Sequence, residues 1–125
     1  MLTFILTGDP RTKKNSMRVI TRPYPRLLPS KQYEEYEAAC IAQITECPAL
    51  ASPVNVRCVY YMQTRRKVDL ANLLEATDDI LVKAGVLTDD NSQIVAAHDG
   101  SRVRYDKDHP RVEITITELE EQPHA

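Results

Sequence analysis

Apolar and polar positions along this chain switch between two periods, and the switches divide it into elements. Leu2 to Leu6 is a short apolar run closed by Gly8-Asp9-Pro10, which predicts a first strand. Val54, Val56, Cys58, Tyr60 and Met62 alternate with positions expected to be polar or less buried, as do Val112, Ile114 and Ile116, so each set predicts a half-buried strand. Ile94 to Ala97 and the pair Val103 and Tyr105 predict shorter ones. Between them the period changes. Tyr33, Tyr36, Ala39, Cys40 and Ile44 recur at helical spacing behind Ser30, a good N-cap. Leu70, Leu73, Leu74, Thr77, Ile80, Leu81 and Ala84 define a second helix that Gly85 ends. Residues 11–29 follow neither period and carry Pro23, Pro25 and Pro29, which predicts a long loop. The sum is an α+β domain: a mixed or antiparallel sheet with two main helices packed on one face.

Length and composition narrow the class. A chain of 125 residues suits one domain with one core, here residues 1–125 with a polar tail at 118–125. A composition of 42% hydrophobic and 27% charged residues argues against disorder, and no apolar run reaches the length a bilayer crossing needs. The N-terminus MLTFILTGDP lacks the basic start of a secretory signal, so a cytoplasmic address is expected. Cys40, Cys47 and Cys58 are odd in number and widely spaced, predicting reduced, buried thiols rather than disulfides or a zinc pair.

The formal net charge of −2 conceals an asymmetry. Residues 1–67 hold eleven Lys and Arg against five Asp and Glu, whereas residues 68–125 hold five against thirteen. Such a division fits a basic surface for phosphates beside an acidic site for a metal. In the basic half, Arg11, Lys13, Lys14 and Arg18 crowd together with Asn15 and Ser16, and Arg22 and Arg26 flank Tyr24, a candidate for stacking on a base. Arg65, Arg66 and Lys67 form a second basic run.

The acidic half carries the candidate chemistry. On the second helix Asn72, Glu75 and Asp79 fall opposite the apolar face, and Asp69 stands at the helix start. Asp89-Asp90-Asn91-Ser92 is an acidic turn just beyond the helix. If that turn folds back over the helix start, Asp69, Asp89 and Asp90 converge as hard oxygen ligands for magnesium or manganese. The same residues also suit a plainer arrangement, with Asp69 as an N-cap beside a solvated acidic face and a surface turn. Spacing alone does not choose between them. His98, at a strand end, is a candidate general base on the same terms.

Taken together, PRTKKNSMR after the first strand, RRKVDLANLL, the helical Asp79, the Ala84-Gly85 stop and DDNSQIV resemble the RusA-type endodeoxyribonucleases over nearly the whole length. That resemblance implies a prophage-associated homodimer that resolves four-way (Holliday) DNA junctions, in recombination and repair, by paired symmetric nicks. It also implies magnesium and catalytic aspartates, leaving 5′-phosphate and 3′-hydroxyl ends. By matching position, Asp69 and Asp90 are implied as catalytic and metal-binding, with Asp89 accompanying. Two positions depart from the pattern: Ala71 replaces a second aspartate, and Glu75 stands where a lysine is common. The expected site is therefore a variant, with Asp69, Asp89, Asp90 and Glu75 toward metal and Asn72 and Asp79 behind them. Arg11, Lys13, Lys14, Asn15, Arg18, Arg65, Arg66 and Lys67 are expected on DNA. The competing expectation is a branched-DNA-binding protein on the same fold whose cleavage Ala71 and Glu75 have abolished.

Overall fold

The computed structural model describes residues 1–13 and 17–119, the side chain of Met17 excepted. Its elements are β1 (Leu2–Thr7), β2 (Met17–Ile20), β3 (Arg26–Pro29), α1 (Lys31–Ala42), β4 (Val54–Met62), α2 (Leu70–Lys83), β5 (Val95–Ala97), β6 (Arg102–Tyr105) and β7 (Arg111–Glu118). The main sheet is mixed. β7 lies antiparallel between β1 and β4, and the far edge of β4 is shared by β5 at its start and β6 at its end, both parallel to it.

Register explains the core. Cys58 faces Ile114, Tyr60 faces Val112 and Val56 faces Ile116, so period-two alternation puts one apolar row from each strand on the same side. Those rows, with Leu6 from β1, form one buried cluster with Cys40 of α1 and Leu73, Ile80 and Leu81 of α2. A buried hydrogen-bond chain fastens α2 to the sheet: Thr77 Oγ1 donates to Leu73 O at 3.0 Å, so the Tyr60 hydroxyl, 2.6 Å away, donates to Thr77.

The expected helix boundaries hold for physical reasons. The Ser30 side chain accepts from Tyr33 N at the start of α1, and Asp69 Oδ1 accepts from Ala71 N at the start of α2. At the far end of α2, Gly85 adopts a φ of 80°, and the amides of Gly85 and Val86 bond back to the carbonyls of Val82 and Leu81. This double closure needs a left-handed residue, which glycine supplies. Leu50 then bonds to Val86 O and accepts from Thr88 N, tethering the exit of α2 beside the approach to β4.

Two expectations change. The basic segment expected as a loop contains a hairpin, with Val19 opposite Leu27 and Arg18 opposite Leu28. Its strands are four residues each, and Pro29 falls at the last position of β3, where a missing N–H costs little. Such strands leave too short a pattern to outweigh the prolines. Cys47 is only half-buried, while Cys40 and Cys58 are buried, and burial pushes their thiols up to about 11 and about 12. All three are free. Among the described residues no helix is long and apolar enough to cross a membrane.

Candidate active site

Helical geometry selects the side chains that meet here. Ala71, Leu74, Glu75 and Asp78 lie at i, i+3, i+4 and i+7 of α2, one stripe along the helix, and all four line a cavity of about 350 Å³. Asp90, from the turn after α2, and His98, from the end of β5, form its other wall.

The turn is held rigidly enough to place Asp90. Asp89 Oδ1 accepts from Asp90 N at 2.7 Å and Asp89 Oδ2 accepts from the Asn91 amide at 3.1 Å. Asn91 O in turn accepts from Ile94 N and Val95 N, and Ile94 O accepts from Val54 N at 2.7 Å, which ties the turn to β4. These bonds have opposite effects on the two acids. The Asp90 amide, bonded to its carboxylate, holds Asp89 below the usual carboxylate range, whereas partial burial, then the neighbouring Asp89 and Asp78, push Asp90 above it.

Asp78 is the least expected member. It is only 6% exposed, its Oδ2 lies 2.8 Å from His98 Nε2, and its Oδ1 is buried without a hydrogen-bond partner. A buried, half-satisfied carboxylate is costly to a fold and therefore calls for a reason. Against a carboxylate the ring nitrogen donates, which leaves Nδ1 of neutral His98 with its lone pair. The hydrogen bond to Asp78, outweighing the opposing effect of burial, raises the His98 pKa above its ordinary value.

The other expected site residues are distributed around this cavity. Glu75 and Asp90 share it; Asp69 caps the start of α2, and Asp89 buttresses the turn. Asp79 pairs with Lys13 and, at 3.7 Å, with Lys83, while Lys13 also sits against Asn72 and Glu75. Of the basic set, Arg11 and Arg66 both pair with Asp9, at 3.2 and 2.8 Å. Arg18 bonds Pro29 O and Glu34, Arg65 stacks on the Tyr105 ring at 4.3 Å, and Lys67 is exposed. Lys14 and Asn15 lie outside the described residues.

The sequence model of the family described as endodeoxyribonuclease RusA matches residues 6–117, a span that takes in every element from the end of β1 to β7. The chain belongs to the RusA family. No curated protein matches it. Membership makes this a chain of a DNA-cutting family, and gives the cavity its chemical context: carboxylates that face one another from both walls. Among the described residues, no three His, Cys, Asp or Glu side chains are gathered tightly enough to cage a metal. Magnesium does not require such a cage, since it keeps several waters and binds through one or two carboxylates plus substrate phosphate oxygens. The hard oxygen donors of Glu75, Asp78 and Asp90 and the unpartnered Asp78 Oδ1 fit that mode.

Asp78 escaped the sequence reading of this RusA-family chain, because attention to Asn72, Glu75 and Asp79 as the polar stripe put it on the apolar side. The spacing Ala71, Leu74, Glu75, Asp78 was the available signal.

Proposed function

We propose that this protein is a metal-dependent endonuclease that resolves four-way DNA junctions as a homodimer, with its active centre in the cavity between α2 and the Asp89-Asp90 turn. The observation that carries the reading is the meeting of Glu75, Asp78 and Asp90 in one cavity of a RusA-family chain. Asp90, Glu75 and the free Oδ1 of Asp78 would hold magnesium, or manganese, with Asp89 assisting by fixing the turn and Asp69 by fixing the start of α2. The ion would supply Lewis-acid stabilisation of phosphoryl charge and a more acidic bound water.

The chain's own groups do the rest. Desolvation first, then the neighbouring Asp89 and Asp78, push Asp90 above the usual carboxylate range, and a cation entering among the acids would offset that cost. His98, oriented by Asp78, is placed to take a proton from the attacking water. Water attacks phosphorus as its proton passes to His98, the bond to the 3′ oxygen breaks and that oxygen takes a proton from solvent, so the products are a 5′-phosphate and a 3′-hydroxyl. Asp79 holds Lys13 beside Asn72 and Glu75, which returns positive charge to a neighbourhood where Glu75 has added negative charge. Lys14, Asn15, Arg65 and Lys67 would meet phosphates directly, whereas Arg11, Arg18 and Arg66 fix the backbone of the basic segments through their partners.

Two-fold symmetry of the junction calls for two such centres, hence the dimer. The test is a substrate panel of four-way junction, flap and linear duplex, each strand end-labelled, incubated with magnesium. Symmetric paired nicks confined to the junction are expected. Equal cutting of flap or duplex would replace junction resolution by a broader phosphodiesterase activity, and junction binding without nicks would favour the binding-protein reading, in which Ala71 marks a lost ligand.

A further inference from the structure

The hairpin of β2 and β3 carries an apolar face that no described residue covers. Val19 and Leu27 are directly opposed across the ladder and are 67% and 63% exposed, while the alternate residues Arg18, Ile20, Arg26 and Leu28 are half-buried. Tyr24, at the tip between the strands, is 61% exposed. The Arg26 guanidinium lies over its ring at 5.1 Å and donates to Arg22 O at 2.8 Å and to Tyr24 O at 3.4 Å, so the tip is braced. At the other end, Arg18 bonds across the hairpin to Pro29 O and ties it to Glu34 of α1.

A large apolar pair held out into water marks a contact surface. Its charge says with what. In sequence every charged side chain from Pro10 to Tyr33 is a cation, and Arg22 and Arg26 flank the tip, while Arg18 at the far end is paired with Glu34. A partner must therefore be anionic around its rim and flat and apolar at its centre, and the terminal base pair at a DNA branch point, flanked by phosphates, is that surface. Continuous duplex hides its base faces by stacking. We propose, resting on the junction-nuclease reading above, that the β2–β3 hairpin is a wedge: Val19 and Leu27 seat against a base pair exposed at the branch point and Tyr24 stacks on an adjoining base, so that the protein recognises branching itself. Arg22, exposed beside the tip, would hold a flanking phosphate.

The test uses the 125-residue chain with chelator present, so that no strand is cut, and a four-way junction carrying 2-aminopurine at the branch point. Binding is read by gel shift and unstacking by the rise in fluorescence. Wild type should raise the fluorescence several-fold on the junction and leave a linear duplex with the same label unchanged. V19S/L27S should abolish the rise and weaken junction binding about ten-fold, with duplex binding unchanged. Tyr24→Ala should reduce the rise, and Tyr24→Phe, which keeps the ring, should restore it. Junction binding that persists with no fluorescence change in wild type would overturn the wedge while leaving the nuclease reading intact. Failure of wild type to prefer the junction at all would remove that reading first. Loss of a dimer in V19S/L27S with the fluorescence rise preserved would also overturn the wedge, by assigning the face to a second copy of this chain.

Discussion

Replacing Asp78 by Asn separates what the Asp78–His98 pair does for stability from what its atoms merely occupy. The two side chains are nearly isosteric, so packing is retained; the carboxylate charge is lost. Below the ordinary histidine pKa of about 6.5 both the folded and unfolded imidazoles are protonated, and the pair is a charge-assisted hydrogen bond of 2.8 Å. Such bonds contribute about 1.5–3 kcal/mol, against about 0.5–1.5 for neutral ones. His98 is raised in the folded state, chiefly by this bond, so the extra stability is fully present below about pH 6.5 and is lost as pH rises through the folded pKa. Solvent reaching the ring, whose side chain is 30% exposed, trims the difference to about 1 kcal/mol. Urea unfolding of wild type and Asp78→Asn at pH 5.5 and 8.5 measures it, and the other titrating groups cancel in the double difference. Asp78→Asn should cost about 1 kcal/mol more at the lower pH, with unchanged denaturant slope. Equal cost at both values would refute the coupling between Asp78 and His98.

Other predictions follow from single contacts. Tyr60→Phe leaves the Thr77 hydroxyl without its buried donor, and should lower unfolding stability by about 1 kcal/mol in urea melts, without shifting the circular dichroism spectrum. Gly85→Ala meets no atom within 4 Å yet must hold a φ of 80°, so a loss of about 1–2 kcal/mol is expected from backbone conformation alone, read by the same melts. Lys67→Ala should weaken junction and duplex binding alike and reduce the slope of log affinity against log salt by about one, measured by fluorescence anisotropy; an unchanged slope would take Lys67 off the phosphates.

The sheet and both helices were legible in the sequence because their periods are long enough to read: alternation in β7 and, apart from the buried run Cys58-Val59-Tyr60, in β4, and three-and-four spacing in α2, bounded by Asp69 and Gly85. The hairpin was hidden because four-residue strands bordered by Pro23, Pro25 and Pro29 give local chemistry that favours a loop, and only cross-strand pairing reverses it. Within the candidate site, Glu75 and Asp90 could be named from spacing and resemblance. Asp78 was legible only as a member of the stripe Ala71, Leu74, Glu75, Asp78, and its partnership with His98 not at all, since twenty residues and the whole acidic turn separate them in sequence, and it is the parallel placement of β5 beside β4 that brings His98 back to α2. The roles of the cations were likewise invisible: whether Arg66 faces a phosphate or Asp9 depends on where the end of β1 lies relative to the end of β4.

The central claim is that the carboxylates between α2 and the acidic turn cut DNA. Its most direct test is single-turnover cleavage of an end-labelled four-way junction by wild type and Asp90→Asn, with magnesium, with manganese and with chelator, alongside binding of the same junction in chelator. Paired nicks that require metal and fall at least about a hundred-fold in Asp90→Asn, with binding retained, are expected. Tight binding by wild type with no nick under either metal, or undiminished nicking by Asp90→Asn, would contradict it.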